Sequence, residues 1–409
     1  MADRAGTVTR HTSTILGLGL FIQLAAMPLA AAARTLEEAL VDTFARPVPH
    51  NLGPVVGGKA GPPGREPQKL RQVFAAGVAS SFPVTGTSAP YVYRFDSATD
   101  SFERVDTPLG PIFSERAQTV GAHRLSVALN YLYADYNSIN GHTLDALVSH
   151  DPRKPGPYLG SCPPGFCEPV LGQAHLDLEA QIVALSATYG LTPDLDVNVF
   201  LPLVYTSLRA DTTFVAPDPR APPDPRFPQF SIGGSARQSS TGVGDLLLRL
   251  KYVFTRNLPV DLAGGLSLSI PTGERADFQG TGDTLIGTSV FVSRTYLDRI
   301  EPHLNLSFVL DADKFDRSQV RYSAGADVRL LDWLTLNNDF LGRSDVTQPD
   351  AVDQPVFLQI KRSDVFQYST GLKAAPLPHF VVFFNALLPL NDDGVRADQV
   401  LAAGVEGVF

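Results

Sequence analysis

The stretch DLDVNVFLPLVY, residues 194–205, sets Leu195, Val197, Val199, Leu201, Leu203 and Tyr205 at alternate positions, with Asp196 and Asn198 between them. Successive side chains of an extended strand point to opposite faces, so one face here is apolar and the other carries an acid and an amide. The pattern recurs. HRLSVALNYLYADY (123–136) aligns Leu125, Val127, Leu129, Tyr131 and Tyr133 on one face. GDLLLRLKYVF (244–254) aligns Leu246, Leu248, Leu250, Tyr252 and Phe254 against Asp245, Arg249 and Lys251. VDLAGGLSLSI (260–270) sets Val260, Leu262, Leu266, Leu268 and Ile270 against Asp261, Ser267 and Ser269. Similar segments near 174–190, 284–297, 301–311, 319–331, 333–344, 364–374, 378–390 and 397–409 bring the expectation to about twelve strands.

The connections alternate as strictly as the side chains. Short turns are expected at 191–194, 255–258, 298–299, 331–332 and 375–377, and long links at 139–173, 210–240, 272–283 and 345–363. Residues 311–317 and 391–396 are shorter links in the same phase. An up-and-down antiparallel barrel crossing a membrane has this organisation, with turns on one side and loops on the other. A soluble β-sandwich also alternates, but its strands are nearer five or six residues, whereas tilted spanning strands need roughly nine to eleven. Tyr189, Tyr252, Phe254, Tyr296, Trp333 and Phe409 lie beside the short turns and Tyr205 toward a long loop, the placement of interfacial aromatic girdles.

The last residues, LAAGVEGVF (401–409), alternate up to a terminal Phe409. A barrel has no edges only if its last strand pairs with its first, so this end is expected inside the sheet. Phe409 also resembles the C-terminal signal that the barrel-assembly machinery of bacterial outer membranes reads.

Residues 1–33 read as a signal peptide: Arg4 and Arg10 precede an apolar run from Ile15, followed by Pro28 and small residues to Ala33. Export implies an oxidising compartment, in which Cys162 and Cys167 of SCPPGFCEP are expected to close a small disulfide loop. Residues 34–120 read as a periplasmic or plug-like segment, and 121–409 as the barrel. Within the former, TLEEALVDTF (35–44) predicts a helix, with Thr35 and Glu38 in capping-box spacing. Proline and glycine dominate 47–67, and VFAAGVASSF and YVYRF are short strand-like pieces.

A net charge of −9 without clustered Lys and Arg excludes nucleic acid as a partner. Neither HExxH nor GxSxG occurs, and the eight histidines are scattered. His303 near Ser307 has no third partner for a lipolytic site and reads as a polar lumen pair. DADKFD (311–316) lacks the glycine and glutamate of a calcium loop and reads as a solvated acidic loop. No catalytic residue, metal or cofactor is expected. With apolar faces toward lipid, the opposite faces place Arg124, Asp177, Glu179, Asp245, Arg249, Lys251, Asp261, His303, Arg321, Asp327, Arg329 and Glu406 in the lumen, where they would tune selectivity.

Three glycine motifs carry a resemblance. STGVGDLLLRLKYVF (240–254) opens a strand with TGxGD, PTG at 271–273 ends the next, and GTGD at 280–283 opens the third. These segments resemble the transporter-like outer-membrane proteins labelled as a meta-pathway of phenol degradation, over roughly residues 115–409. The resemblance implies a barrel associated with passage of small, hydrophobic or aromatic compounds. The partners expected are outer-membrane lipid, the assembly machinery and a small-molecule solute. The alternative is a surface or adhesion barrel acting through loops such as VAPDPRAPPDPRFPQF (215–230), and, further off, an outer-membrane hydrolase.

Overall fold

The computed structural model describes residues 34–45, 78, 85–87, 90–96, 101–105, 107–148, 171–216, 230–256, 258–347 and 364–409. Residues 1–33, Cys162 and Cys167 lie outside them, as does most of the 215–230 loop.

Helix α1 (Leu36–Ala45) starts at the expected capping box: the Glu38 amide donates to Thr35 Oγ1 at 3.1 Å and the Thr35 amide to Glu38 Oε2 at 3.3 Å. A small hairpin, β1 (Val92–Asp96) with β2 (Ser101–Val105), follows. The wall is built from β3 (Leu125–Ile139), β6 (Leu171–Gly190), β7 (Leu195–Ala216), β8 (Phe230–Val243), β9 (Leu246–Thr255), β10 (Asp261–Ile270), β11 (Leu285–Ser293), β12 (Ile300–Asp311), β13 (Gln319–Leu331), β14 (Leu334–Asp345), β15 (Asp364–Leu377), β16 (Phe380–Pro389) and β17 (Val395–Val408). Two stubs, β4 (His142–Thr143) and β5 (Leu147–Val148), prolong β3 and β6.

Sequential neighbours pair antiparallel, and β3 pairs both β17 and β6. Strands β8 and β9 are successive parts of one wall position, both pairing β7, so the ring holds twelve strands. The last residue takes part in closure: Phe409 and Leu125 exchange backbone hydrogen bonds at 2.8 and 3.0 Å. One hairpin turns on two left-handed residues, Leu297 and Asp298, which gives the primed turn that matches strand twist.

On β7, Asp196 and Asn198 are buried, while Val199 and Leu201 are 45% and 41% exposed. The apolar face is therefore outermost, as lipid requires. All six aromatics beside the short turns are exposed, with Tyr252 and Phe254 edge to face at 5.6 Å. Among the described residues no helix is long and apolar enough to cross a membrane; the strands cross it.

One expected link is corrected. The sequence pattern predicts a loop over 210–240, but β7 continues to Ala216 and β8 begins at Phe230, so both strands stand well beyond the apolar band. The sequence of β8, FSIGGSARQSSTGV, has no apolar alternation because its outer face meets water rather than lipid.

Candidate functional site: the barrel lumen

Residues 107–120 lie inside the short-turn half of the barrel and form its floor. They are tied to the wall mostly by side chains. Asn305 of β12 acts as a surrogate strand, accepting from the Glu115 amide and donating to the Glu115 carbonyl, both at 2.8 Å. Lys373 of β15 donates to the carbonyls of Leu109 and Pro111 at 3.3 and 3.0 Å, and Asn337 of β14 to that of Gly110 at 2.9 Å. On the opposite side the Ala117 amide donates to Ser293 Oγ and the Val120 amide to Asp196 Oδ2, both at 3.0 Å. An irregular segment has backbone groups that no ladder satisfies, and the polar inner wall satisfies them here.

The floor has a charged centre. Glu115 accepts from the amide of Thr87, from Thr87 Oγ1 at 2.7 and 2.9 Å, and from Lys251 Nζ at 3.3 Å, with Arg249 Nη1 at 3.8 Å. Burial works against its charge, but Lys251, Arg249 and the Thr87 hydrogen bonds outweigh burial and hold its carboxyl below the ordinary range. Arg116, 1% exposed, reaches Pro108 O at 3.2 Å and Glu301 Oε2 at 3.4 Å. Gly86 packs against this segment: a Cβ there would stand 2.2 Å from Ser114 O.

Of the sequence-predicted lumen residues, Arg249, Lys251, Asp261, His303, Asp327 and Glu406 face inward near this floor. Arg249 also stacks over the Phe200 ring at 5.7 Å. Asp261 accepts from Gln118 at 2.8 Å and Arg294 at 3.1 Å. His303 lies 2.5 Å from Asp339 Oδ1 and 3.8 Å from Asp327 Oδ2, and Glu406 accepts from Ser126 at 2.6 Å. Ser307 donates to Ser289 at 2.8 Å, so it makes no nucleophile–base pair with His303. Arg124 precedes β3, and Arg329 reaches Asp332 at the short-turn rim at 3.6 Å. Arg321 lies higher, on the cavity wall.

Asp177 and Glu179 require correction. On β6 the even positions Leu176, Leu178, Ala180 and Ile182 are buried, and the two acids point outward. Above the bilayer the polarity rule inverts: water lies outside the barrel, while the interior is filled by Leu36 and Leu40 of α1 together with Phe278.

Above the floor is a cavity of about 380 Å³. Its lining includes Phe113 and Glu115 from the floor, Ile182, Phe200 and Val204 from β6 and β7, and Gln279 and Thr281 from the loop above. That loop, 271–284, covers a break in the wall. β8 pairs β7 alone, and its other edge has no strand partner among the described residues. The three glycine motifs meet here. Asp245 accepts from the amides of Gly273 and Thr281 and from Thr281 Oγ1, at 3.1, 2.8 and 2.7 Å. A Cβ on Gly273 would stand 2.8 Å from Gly280 Cα, so the two segments touch only because both are glycine. Ser240 of β8 donates to Asp277 Oδ2 at 2.7 Å and accepts from Gln279 at 3.0 Å.

At the outer rim Asp283, Asp311 and Asp313 bring carboxylate oxygens within 4.8 Å of one another. Arg317 donates to Asp283 at 2.7 Å, the Thr284 amide to Asp313 at 2.7 Å, and the Lys314 amide to Asp311 at 2.8 Å, so the acids fasten two loops together.

Several residues were missed from sequence. Asp339, Arg343 and Lys373 sit on the polar face of alternating strands and were legible there. Glu115 and Arg116 lie in an irregular segment without periodicity, and nothing in their spacing announced them.

The family model described as "Putative MetA-pathway of phenol degradation" matches residues 169–342, the span holding the three glycine motifs. No curated protein matches. Among solved structures the chain is similar to an outer membrane channel from Pseudomonas putida F1, at 11% identity over 72% of this chain and 99% of that one, TM-score 0.48. It is also similar to the toluene transporter TbuX of Ralstonia pickettii, at 12% identity over 71% and 90%, TM-score 0.34. A third is a FadL homologue of Pseudomonas aeruginosa, at 9% identity over 70% and 90%, TM-score 0.34. The strand registers, rather than these likenesses, define the fold. A closed barrel with an apolar belt places the protein in the bacterial outer membrane.

Proposed function

We propose that the chain is an outer-membrane channel that takes small, apolar or aromatic solutes into its central cavity, with residues 107–120 as a removable floor. The observation that carries this reading is the cavity itself: it lies within a membrane-spanning barrel, and its floor is a separate segment docked by polar side chains rather than by strand pairing. A docked segment can leave without unmaking the wall. The mixed lining suits solutes that are mainly apolar. The glycine-lined break beside β8 offers such solutes a second way through the wall, at the level of the exposed Val243.

Conductance of the mature protein in a planar bilayer, compared with a chain lacking residues 34–120, tests the proposal. Little conductance in the full chain and discrete steps after truncation are expected. A folded barrel that passes neither ions nor solutes in either form would overturn it.

A further inference from the structure

The outer face of β14 breaks the rule that its neighbours keep. Asn337 and Asp339 are buried on the inner side, so the alternate positions Leu336, Asn338 and Phe340 face outward. Asn338 is therefore an amide on the lipid side of the wall. Its depth follows from its surroundings. Trp333, half exposed, marks the short-turn rim below it, while the stacked rings of Phe340 and Phe366, 5.7 Å apart, lie above it with Tyr322 beside them. The rows on either side of it across the sheet are lipid-exposed. Leu336 pairs Leu372, which pairs Phe384, and Phe340 pairs Tyr368, which pairs Leu388. Leu372, Phe384 and Leu388 are 45%, 55% and 40% exposed, so hydrocarbon lies both above and below the amide.

Half of that amide is satisfied within the chain. Asn338 Oδ1 accepts from Tyr368 Oη at 2.7 Å and from Thr370 Oγ1 at 3.0 Å, both on β15, where Thr370 is its direct cross-strand partner. The amide nitrogen donates to no acceptor among the described residues. Turning the amide over exchanges its two ends and leaves the same deficit, because one end still faces outward. Hydrocarbon offers neither donor nor acceptor, and a polar group left unpaired in it is costly. Lipid headgroups lie at the membrane surface, beyond the aromatic rings, and do not reach this depth. Polar side chains at such depths are retained where another protein surface meets them.

The missing partner is present in the same patch. The Tyr368 and Thr370 hydroxyls donate to Asn338 and keep lone pairs that can accept. A two-fold axis along the membrane normal carries each group to its own depth on a second barrel, and the interface it generates is self-complementary. From this arrangement we propose that the outer face of β13, β14 and β15 is a dimer interface between two copies of this chain, the Asn338 amide of each copy donating to the Tyr368 or Thr370 hydroxyl of the other. The wall beside the trio is low: on β13, Ala326 pairs Asn338, and the exposed Ala324 pairs Phe340. Small residues let surfaces within a membrane approach closely enough for such bonds to form. The interface lies on the outside of the barrel and does not depend on the channel reading.

Sedimentation equilibrium of the folded mature protein in density-matched detergent micelles tests the interface. A reversible dimer is expected, and N338L should weaken it about tenfold, the scale of two reciprocal hydrogen bonds lost at one membrane-facing contact. Y368F/T370V removes the hydroxyl acceptors, leaves Asn338 in place and should weaken the dimer to a similar degree. Mobility of unboiled samples on gels shows whether each variant is folded; N338L gives the position the apolar character that the lipid face ordinarily carries. A wild-type protein that stays monomeric at every concentration, with or without bound lipid, overturns the inference whatever the variants do. A dimer of undiminished strength in folded N338L or folded Y368F/T370V overturns it as well, because the contact would then lie elsewhere on the wall.

Discussion

Phe409, the last residue of the chain, and Leu125, the first residue of the first barrel strand, donate a backbone hydrogen bond to each other at 2.8 and 3.0 Å, while the Phe409 ring packs edge-on to Phe380 at 6.3 Å. Closure and terminus are thus one feature. Deleting Phe409 removes both backbone bonds, whereas Phe409→Ala removes only the ring, worth about 0.5–1.5 kcal/mol as an aromatic pair. Urea unfolding of refolded protein should show F409A close to wild type and the deletion less stable. In cells, heat-modifiable mobility of membrane fractions should show both variants poorly assembled, because the terminal ring is also the proposed assembly signal. Normal assembly of F409A would remove that signal role and leave the ring only its packing.

Glu115 gives the floor a pH dependence whose sign is fixed. Its carboxyl titrates below the ordinary value of 4.5, so its ion pairs with Lys251 and Arg249 contribute fully above that value and are lost only as pH falls through the lowered one. The floor should therefore stay docked from neutral pH through the ordinary carboxylate range and loosen in stronger acid. Glu115→Gln leaves Lys251 only Asp196, its cross-strand neighbour, as counter-charge, a change costing up to about 3–5 kcal/mol when a buried pair is broken. Limited proteolysis of residues 107–120 should then show cleavage at neutral pH in E115Q and only in strong acid in the wild type. Equal protection of both proteins at neutral pH would show that Asn305 and Lys373 hold the floor without the ion pairs.

The barrel was legible because a lipid-facing strand obeys one rule: wherever a strand is bathed by hydrocarbon, the outer position must be apolar, as at Val199 and Leu201. The same rule misled where lipid ends. Asp177 and Glu179 continue the alternation of β6 into water, and there the buried face is the apolar one, Leu176 and Leu178. Strand β8 is invisible in the sequence for the same reason, having neither lipid on its outer face nor, among the described residues, a second strand beside it. The floor was hidden differently. Apart from Thr87 and Pro108, Glu115 and Arg116 acquire their partners from strands more than a hundred residues away, and no local spacing encodes a contact such as Glu115 with Asn305. The glycine motifs showed where the backbone bends, but the convergence of TGxGD, PTG and GTGD on Asp245 depends on the wall's register.

That convergence can be tested by fixing it. Ser240 of β8 and Asp277 of the covering loop are 2.7 Å apart through their side chains, so cysteines at both positions can tether loop 271–284 over the break in the wall. If apolar solutes pass through the break, the oxidised S240C/D277C protein should accumulate a labelled monoaromatic compound in proteoliposomes several-fold more slowly than the same protein after reduction. Ionic conductance through the lumen, read in the same cysteine variant lacking residues 34–120, should be unchanged by the tether, because the loop covers the side of the barrel. The background pair Cys162 and Cys167 calls for a parallel measurement on the wild-type chain with and without reductant. Uptake that is equal in the tethered and reduced forms would assign the solute's path to the lumen axis and leave the glycine-lined break a structural seam. A fall in uptake and conductance together would show instead that the loop gates the cavity as a whole.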